Sequence, residues 1–197
     1  DTGRVLGCAF LADATVTFGF CKRGLVLYPG AEYAGEVRTA NVGIGPESFL
    51  GQEPEMYTYE KGSVQLIKRN AAGNKGTFGK ALLVAGSNGM AGAAILAAKA
   101  AYRTGAGMVK VITAEENRQI IQQGIPEALY GSCRQLTESL DWADVIAIGP
   151  GIGREEQALQ CLKTVVERSR KPLVLDADAL NLLAEENGRM LAEELRA

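Results

Sequence analysis

The chain has 197 residues, 47% of them hydrophobic, and its 21 basic and 23 acidic residues leave a formal net charge of −2. That length and apolar content allow one sizeable domain or parts of two, while the even charge balance leaves no basic stripe for nucleic acid. No histidine occurs, which excludes Ser-His-Asp and Cys-His catalysis and His-based zinc sites within these residues.

The first residues, Asp1 onward, show no initiating Met and no signal-peptide pattern. In the block 1–44, "ATVTFGF" (Ala14–Phe20) is β-branched and aromatic and predicts a strand. "YPG" (Tyr28–Gly30) predicts a turn, and "AGEVRTANVGI" (Ala34–Ile44) a second strand. A block this short is marginal alone and needs partner structure. "GPESFLGQEP" (45–54) is the best linker candidate, with two prolines and two glycines between patterned segments.

A regular alternation begins at Ala81. "ALLVAG", "MVKVIT" (Met108–Thr113), "EALYG", "VIAIG" (Val145–Gly149) and "PLVLDA" (Pro172–Ala177) read as strands, with helical patterns between them and after the last. Continuous apolar strands alternating with helices predict a parallel sheet covered on both faces. The longest apolar stretch, "MAGAAILAAKAAY", is broken by Lys99 and too short to span a bilayer. Four scattered cysteines (Cys8, Cys21, Cys133, Cys161) form no C-x-x-C pair and read as reduced thiols in a cytoplasmic protein. The end, "GRMLAEELRA", stops inside a helical pattern without a Gly or Asn cap, so the chain reads as a segment cut from something longer.

In a parallel α/β sheet, ligands sit at the carboxyl ends of the strands, so the segments that follow the strands are the candidates for chemistry. Three stand out: "GSNGMAGA" (Gly86–Ala93), "GPGIG" (Gly149–Gly153) and "DADALN" (Asp176–Asn181). Glycines free backbone amides to face an anion at a helix N-terminus, although tight turns and close packing explain such glycines equally well. In the third segment, Asp178 reads as the N-cap of the helix "ALNLLAEE" and Asp176 as a contact to Mg²⁺ or a ligand hydroxyl. Lys75, between flexible Asn and Gly, could reach a phosphate, though a solvated Lys is the commoner outcome.

Together, "KGTFGKALLVAGSNGMAGAAILAAKAAYRTGAGMVKV", "ADVIAIGPGIG" and "PLVLDADALNLL" closely resemble the ADP/ATP-dependent NAD(P)HX dehydratases, from about Lys75 to Leu183 and in the correct order. The front segment, "DTGRVLGCAFLADATVTFGFCKRGLVLYPGAEYAGEV", resembles the last part of an NAD(P)HX epimerase domain, which is commonly fused ahead of the dehydratase in bacteria. The resemblance implies an α/β architecture: a parallel-sheet, three-layer ribokinase-like domain, incomplete, preceded by the end of a Rossmann-like α/β epimerase domain. It implies the epimerase part at 1–48, linker and lead-in at 49–74, and the first half of the dehydratase at 75–197.

The resemblance also implies a reaction. NADH or NADPH carrying an added hydroxyl on its ring is phosphorylated there at the expense of ADP or ATP, and loss of phosphate restores NAD(P)H. The cofactors implied are ADP or ATP with Mg²⁺, and K⁺ for the epimerase domain, whose ligands lie outside these residues. A homo-oligomer in the cytoplasm is implied, with no nucleic-acid or membrane partner. By the same resemblance, Ala93 and Gly151 match positions that line the hydrated-nucleotide site, Gly86, Gly92, Gly149 and Gly153 shape its loops, and Asp176 matches the acidic strand end beside it.

The sequence also departs from the family pattern. Asn74 stands where the family usually has His, and the "H-P-G-E" segment, the Lys-Gly nucleotide loop and the "G-T-G-D" helix start, with its expected catalytic Asp, are not among these 197 residues. The epimerase "N-N-G-G-D-G" loop and "D-x-P-S-G" acid are likewise not among them. These residues alone are therefore expected to be catalytically inactive. The alternative is a small-molecule kinase of the same fold, acting on a hydroxymethylpyrimidine, thiazole or sugar alcohol. A nucleotide-binding module without chemistry is a further possibility. A Rossmann dehydrogenase is disfavoured because no G-x-G-x-x-G follows a strand.

Overall fold

The computed structural model describes residues 2–52, 54, 56, 57, 59, 62, 63, 69–185 and 188–195. The chain divides into two compact units, Asp1–Ile67 and Lys68–Ala197.

In the first unit, β1 (Ala14–Phe18) pairs in parallel with β2 (Glu36–Ala40). The short helix α1 (Gly30–Ala34) lies between them in sequence. The second strand is thus shorter than the alternation from Ala34 to Ile44 suggests. Ala34 closes α1, whose start at the Tyr28–Gly30 turn suits the fixed φ of Pro29, and a five-residue helix is too short to show a helical period of its own.

The second unit holds a five-stranded parallel sheet. Its strands are β3 (Lys80–Val84), β4 (Met108–Ile112), β5 (Leu129–Gly131), β6 (Val145–Ile148) and β7 (Leu173–Leu175). They lie in the order β5-β4-β3-β6-β7. The helices are α2 (Ala91–Thr104), α3 (Arg118–Gly124), α4 (Leu136–Trp142), α5 (Glu156–Arg168), α6 (Asp178–Ala184) and α7 (Arg189–Glu194). The period-two alternation of β3 sends Leu82 and Val84 to a core with α4 through α7, and Ala81 and Leu83 to a core with α2 and α3. The expected sheet, covered on both faces, is thereby present. Helix α2 buries only alanines, Ala91, Ala94 and Ala98, so its axis comes close to the sheet.

At the amino edge, the Asp144 carboxylate accepts the N–H of Lys80 at 2.9 Å. The Lys171 ammonium caps the end of α4 by donating to the carbonyls of Leu140 at 2.7 Å, Asp141 at 2.9 Å, and Ala143. Among the described residues, no helix is long and apolar enough to cross a membrane.

Candidate functional site

The strand order places the topological switch point between β3 and β6. From β3 the chain runs outward to β4 and β5, then returns to β6 on the other side. Connections leaving a switch point diverge to opposite faces and open a crevice at the carboxyl ends of the strands, where ligands of such sheets bind. Strands β3 and β6 pair with Val84 beside Ile148, so they end level and their two glycine loops start at the same height.

The loops are tied together by backbone. The N–H of Gly86 donates to the Pro150 carbonyl at 2.9 Å, and that of Ser87 to the Gly151 carbonyl at 2.5 Å. Gly151, with φ +64°, lies against α2 so closely that a Cβ there would sit 2.8 Å from the Cβ of Ala93. Gly149 approaches the third segment in the same way: a Cβ would overlap the Asp176 carbonyl oxygen. The N–H of Gly153 donates to Asp178 Oδ2 at 2.9 Å. The three segments singled out in the sequence therefore form one continuous edge of the sheet.

A buried network holds the first loop from beneath. Thr113 Oγ1 donates to the Gly86 carbonyl at 2.6 Å. Asn117, 1% exposed, donates through Nδ2 to the Ser87 carbonyl at 2.9 Å, to Thr113 Oγ1 at 3.0 Å and to the Gly86 carbonyl at 3.3 Å. With both carbonyls fixed, the loop continues through a tight turn in which Met90 N–H donates to Ser87 O at 2.9 Å. The N–H groups of Asn88 and Gly89 have no acceptor among the described residues, and they lead into the N-terminus of α2. Free donors before a helix N-terminus suit an anion. At Gly92 a Cβ would meet nothing within 4 Å, so the first turn of α2 is open on that side.

Ala93, Gly86, Gly149, Gly151, Gly153 and Asp176 thus meet at one edge, with Gly92 beside them. One expectation differs. Asp178 is the first residue of α6 and makes no N-capping hydrogen bond. Ala177 takes the cap position with φ +46°, and this tight turn swings the Asp178 carboxylate across to Gly153 instead. Lys75 is not brought to this edge: its carbonyl packs at Gly107, just before β4, at the opposite end of the strands. Beside it, Asn74 Oδ1 accepts the N–H of Gly76 at 2.9 Å and folds a local turn. Asp176 is exposed, and its carboxylate accepts no hydrogen bond from another described residue.

Thr113 and Asn117 were missed among the candidate residues. The signal was there: "VITAEEN" also follows a strand, and its Thr and Asn are polar residues ending an apolar run. Sequence alone could not show that both are buried under a loop from another strand.

A parallel sheet with glycine loops at its switch point defines the class, an α/β protein built to hold a ligand at its carboxyl edge. Residues 81–195 match the family model of the NAD(P)H-hydrate dehydratases, and the chain belongs to that family. It is similar to the bifunctional NAD(P)H-hydrate repair enzyme of Escherichia coli K12, at 39% identity over 93% of this chain and 36% of that protein. The enzyme of the same description from Moorella thermoacetica is 38% identical over 93% of this chain and 38% of its own length. The chain thus spans little more than a third of these curated relatives. Among solved structures, a ribokinase-like superfamily protein from Enterococcus faecalis is 33% identical, with a TM-score of 0.56, covering 60% of this chain and 43% of that one. An ADP/ATP-dependent NAD(P)H-hydrate dehydratase from Bacillus subtilis, co-crystallised with ATP/Mg²⁺, is 38% identical, with a TM-score of 0.51, covering 57% of this chain and 42% of that one. The ribokinase-like fold follows from these likenesses, and a hydroxymethylpyrimidine, thiazole or sugar kinase is not favoured.

Proposed function

We propose that this chain is the junction of a two-domain NAD(P)H-hydrate repair enzyme. Residues 1–48 form the end of the epimerase domain, 49–74 the linker and lead-in, and 75–197 the first half of the dehydratase domain. The bifunctional relatives, aligned across 93% of the chain, support that division. In this reading the switch-point crevice takes (6S)-NAD(P)HX for dehydration at the expense of ADP or ATP. The observation that carries it is the meeting of Ala93 and Gly151, two residues expected at the nucleotide, across the crevice between β3 and β6.

Phosphoryl transfer is governed by positioning and electrostatics. The adenine nucleotide and Mg²⁺ would supply the phosphoryl group and neutralise its charge. The residues present fit that role. Mg²⁺ commonly binds through one or two carboxylates plus substrate phosphates, and Asp176 offers one unpartnered carboxylate at the site's edge. The free amides of Asn88 and Gly89 would hold a substrate oxygen anion. Ala93, Gly86, Gly92, Gly149, Gly151 and Gly153 keep the crevice walls free of bulk, so that a flat ring and its ribose phosphate can approach backbone. The same reading places the enzyme in the cytoplasm as a homo-oligomer. K⁺ belongs to the epimerase domain, and no residue of 1–48 is assigned to it.

The test is an assay of a protein carrying these residues together with a downstream Gly-Thr-Gly-Asp segment. With (6S)-NADHX and ADP it should restore NADH, read by absorbance, and should leave hydroxymethylpyrimidine and thiazole alcohols unphosphorylated. The 197 residues alone should bind NADPH by calorimetry without turning over (6S)-NADHX. Phosphorylation of those alcohols in place of dehydration would overturn the reading.

A further inference from the structure

Cys133 and Cys161 are far apart in sequence, yet they share the wall of one cavity of about 260 Å³. The cavity lies at the carboxyl edge, under the loop at Gly86, Ser87 and Asn88 and beside the start of α5. Cys133 opens the 3₁₀ turn that leads into α4, and Cys161 sits in the middle of α5. Both pack in the apolar cluster with Leu136, Leu140 and Leu162, where Cys161 is 7% exposed and Cys133 half-buried. Neither has a part in the reading of the crevice given above. Cys8 and Cys21 are exposed and belong to the other unit.

The Cys161 thiol beside it, with Gln157, lowers the Cys133 thiol from its ordinary range to about 7. Cys161 is pushed the other way, first by its neighbour Cys133 and then by burial. The pair therefore consists of one thiolate-forming sulfur and one protonated sulfur on the wall of the same cavity. Low-pKa, accessible cysteines next to a second thiol are the ones that oxidise selectively. The charged residues lining the cavity are Glu116 and Glu155, and no Lys or Arg lines it. That field repels anionic oxidants such as glutathione disulfide and admits a small neutral one.

We propose that Cys133 and Cys161 are an oxidisable dithiol whose oxidant is a small neutral hydroperoxide, with Cys133 the attacking sulfur and Cys161 the resolving one. The Cys133 thiolate attacks one peroxide oxygen and the O–O bond breaks. The departing hydroxide takes up a proton as water, and a sulfenic acid is left on Cys133. The Cys161 sulfur then attacks Cys133 Sγ and forms the S–S bond. Its proton leaves with the sulfenic hydroxyl as a second water. In sum, two thiols lose two electrons and two protons while one hydroperoxide is reduced. The bridge ties the start of α4 to α5 across the cavity beneath the glycine loop.

The experiment uses the whole 197-residue chain, fully reduced, then treated with hydrogen peroxide at neutral pH, quenched with iodoacetamide and mapped by peptide mass spectrometry. The expected result is loss of alkylation at both Cys133 and Cys161, with their two peptides joined and lighter by two hydrogens, and recovery with dithiothreitol. In Cys161→Ala the reaction should stop at the sulfenic acid, so dimedone labels Cys133 in the variant and not in the wild type. Dimedone labelling of Cys133 as strong in the wild type as in the variant would overturn the proposal. So would bridging of Cys133 to Cys8 or Cys21, or full alkylation of both thiols at a dose that oxidises exposed Cys8. The wild-type map decides the matter even if the variant folds poorly.

Discussion

Gly151 and Ala93 are in such close register across the crevice that a single methyl group on the glycine would lie 2.8 Å from the alanine Cβ. The contact joins the loop after β6 to the first turn of α2, the two walls of the switch point. Gly151→Ala therefore carries two costs: a side chain at φ +64°, worth about 1–2 kcal/mol, and overpacking against Ala93, worth about 1 kcal/mol or more. Urea denaturation should show a loss of about 2 kcal/mol. Adding Ala93→Gly should recover the packing part alone, a coupling of about 1 kcal/mol in a double-mutant cycle. Strict additivity would mean that the walls do not touch.

Asn117 has a structural consequence that its place in the sequence conceals. Replacing it with Ala removes its hydrogen bonds to the Ser87 carbonyl at 2.9 Å and to Thr113 Oγ1 at 3.0 Å, and leaves Ser87 O held by the Met90 N–H alone, a cost of about 1–3 kcal/mol. Asn117→Asp should be worse, because an ionised carboxylate only accepts hydrogen bonds and would face two carbonyl oxygens. Both variants should also weaken NADPH binding in calorimetry. A Tm within error of the wild type for Asn117→Asp would refute this account of the loop.

Ala177 occupies a backbone conformation, φ +46° and ψ −117°, that suits glycine. It closes the tight turn in which Ala179 N–H donates to the Asp176 carbonyl at 3.0 Å. Such strain costs about 1–3 kcal/mol and exceeds the extra unfolded-state entropy of glycine, about 0.5–1 kcal/mol. Ala177→Gly should therefore stabilise the protein by about 1 kcal/mol, seen as a higher urea midpoint with an unchanged m-value. Destabilisation would show that the turn is relaxed as it stands.

Because the neighbouring Cys161 thiol lowers the Cys133 thiol to about 7, alkylation of Cys133 should rise with pH through a midpoint near 7. The groups facing it are the Cys161 thiol, Gln157, the Tyr130 ring and the carboxylates of Glu116 and Glu155. A folded-state pKa below the unfolded value makes this thiolate stabilising above the unfolded pKa. That contribution is lost as pH falls through about 7. Cys161→Ala should move the alkylation midpoint upward; an unmoved midpoint would break the link between the two thiols.

Much of this protein is determined by local pattern. The apolar strands alternating with helices from Ala81 onward specify a covered parallel sheet, because the central strand β3 packs apolar side chains into a core on each face. The three segments after strands were legible for a related reason: glycine and aspartate in an otherwise apolar rhythm mark the places where backbone or charge faces out of the core. What local pattern could not supply was distance between segments. Strand order brings the loops after β3 and β6 to the same height, sends Lys75 to the opposite edge, and folds Asn117 beneath a loop some thirty residues earlier, as its hydrogen bond to Ser87 shows. It also turns two unrelated cysteines into neighbours. Helix α1 and the role of Asp178 escaped for the complementary reason: each is decided by a single turn residue, Pro29 or Ala177, whose backbone angles depend on what the chain packs against next.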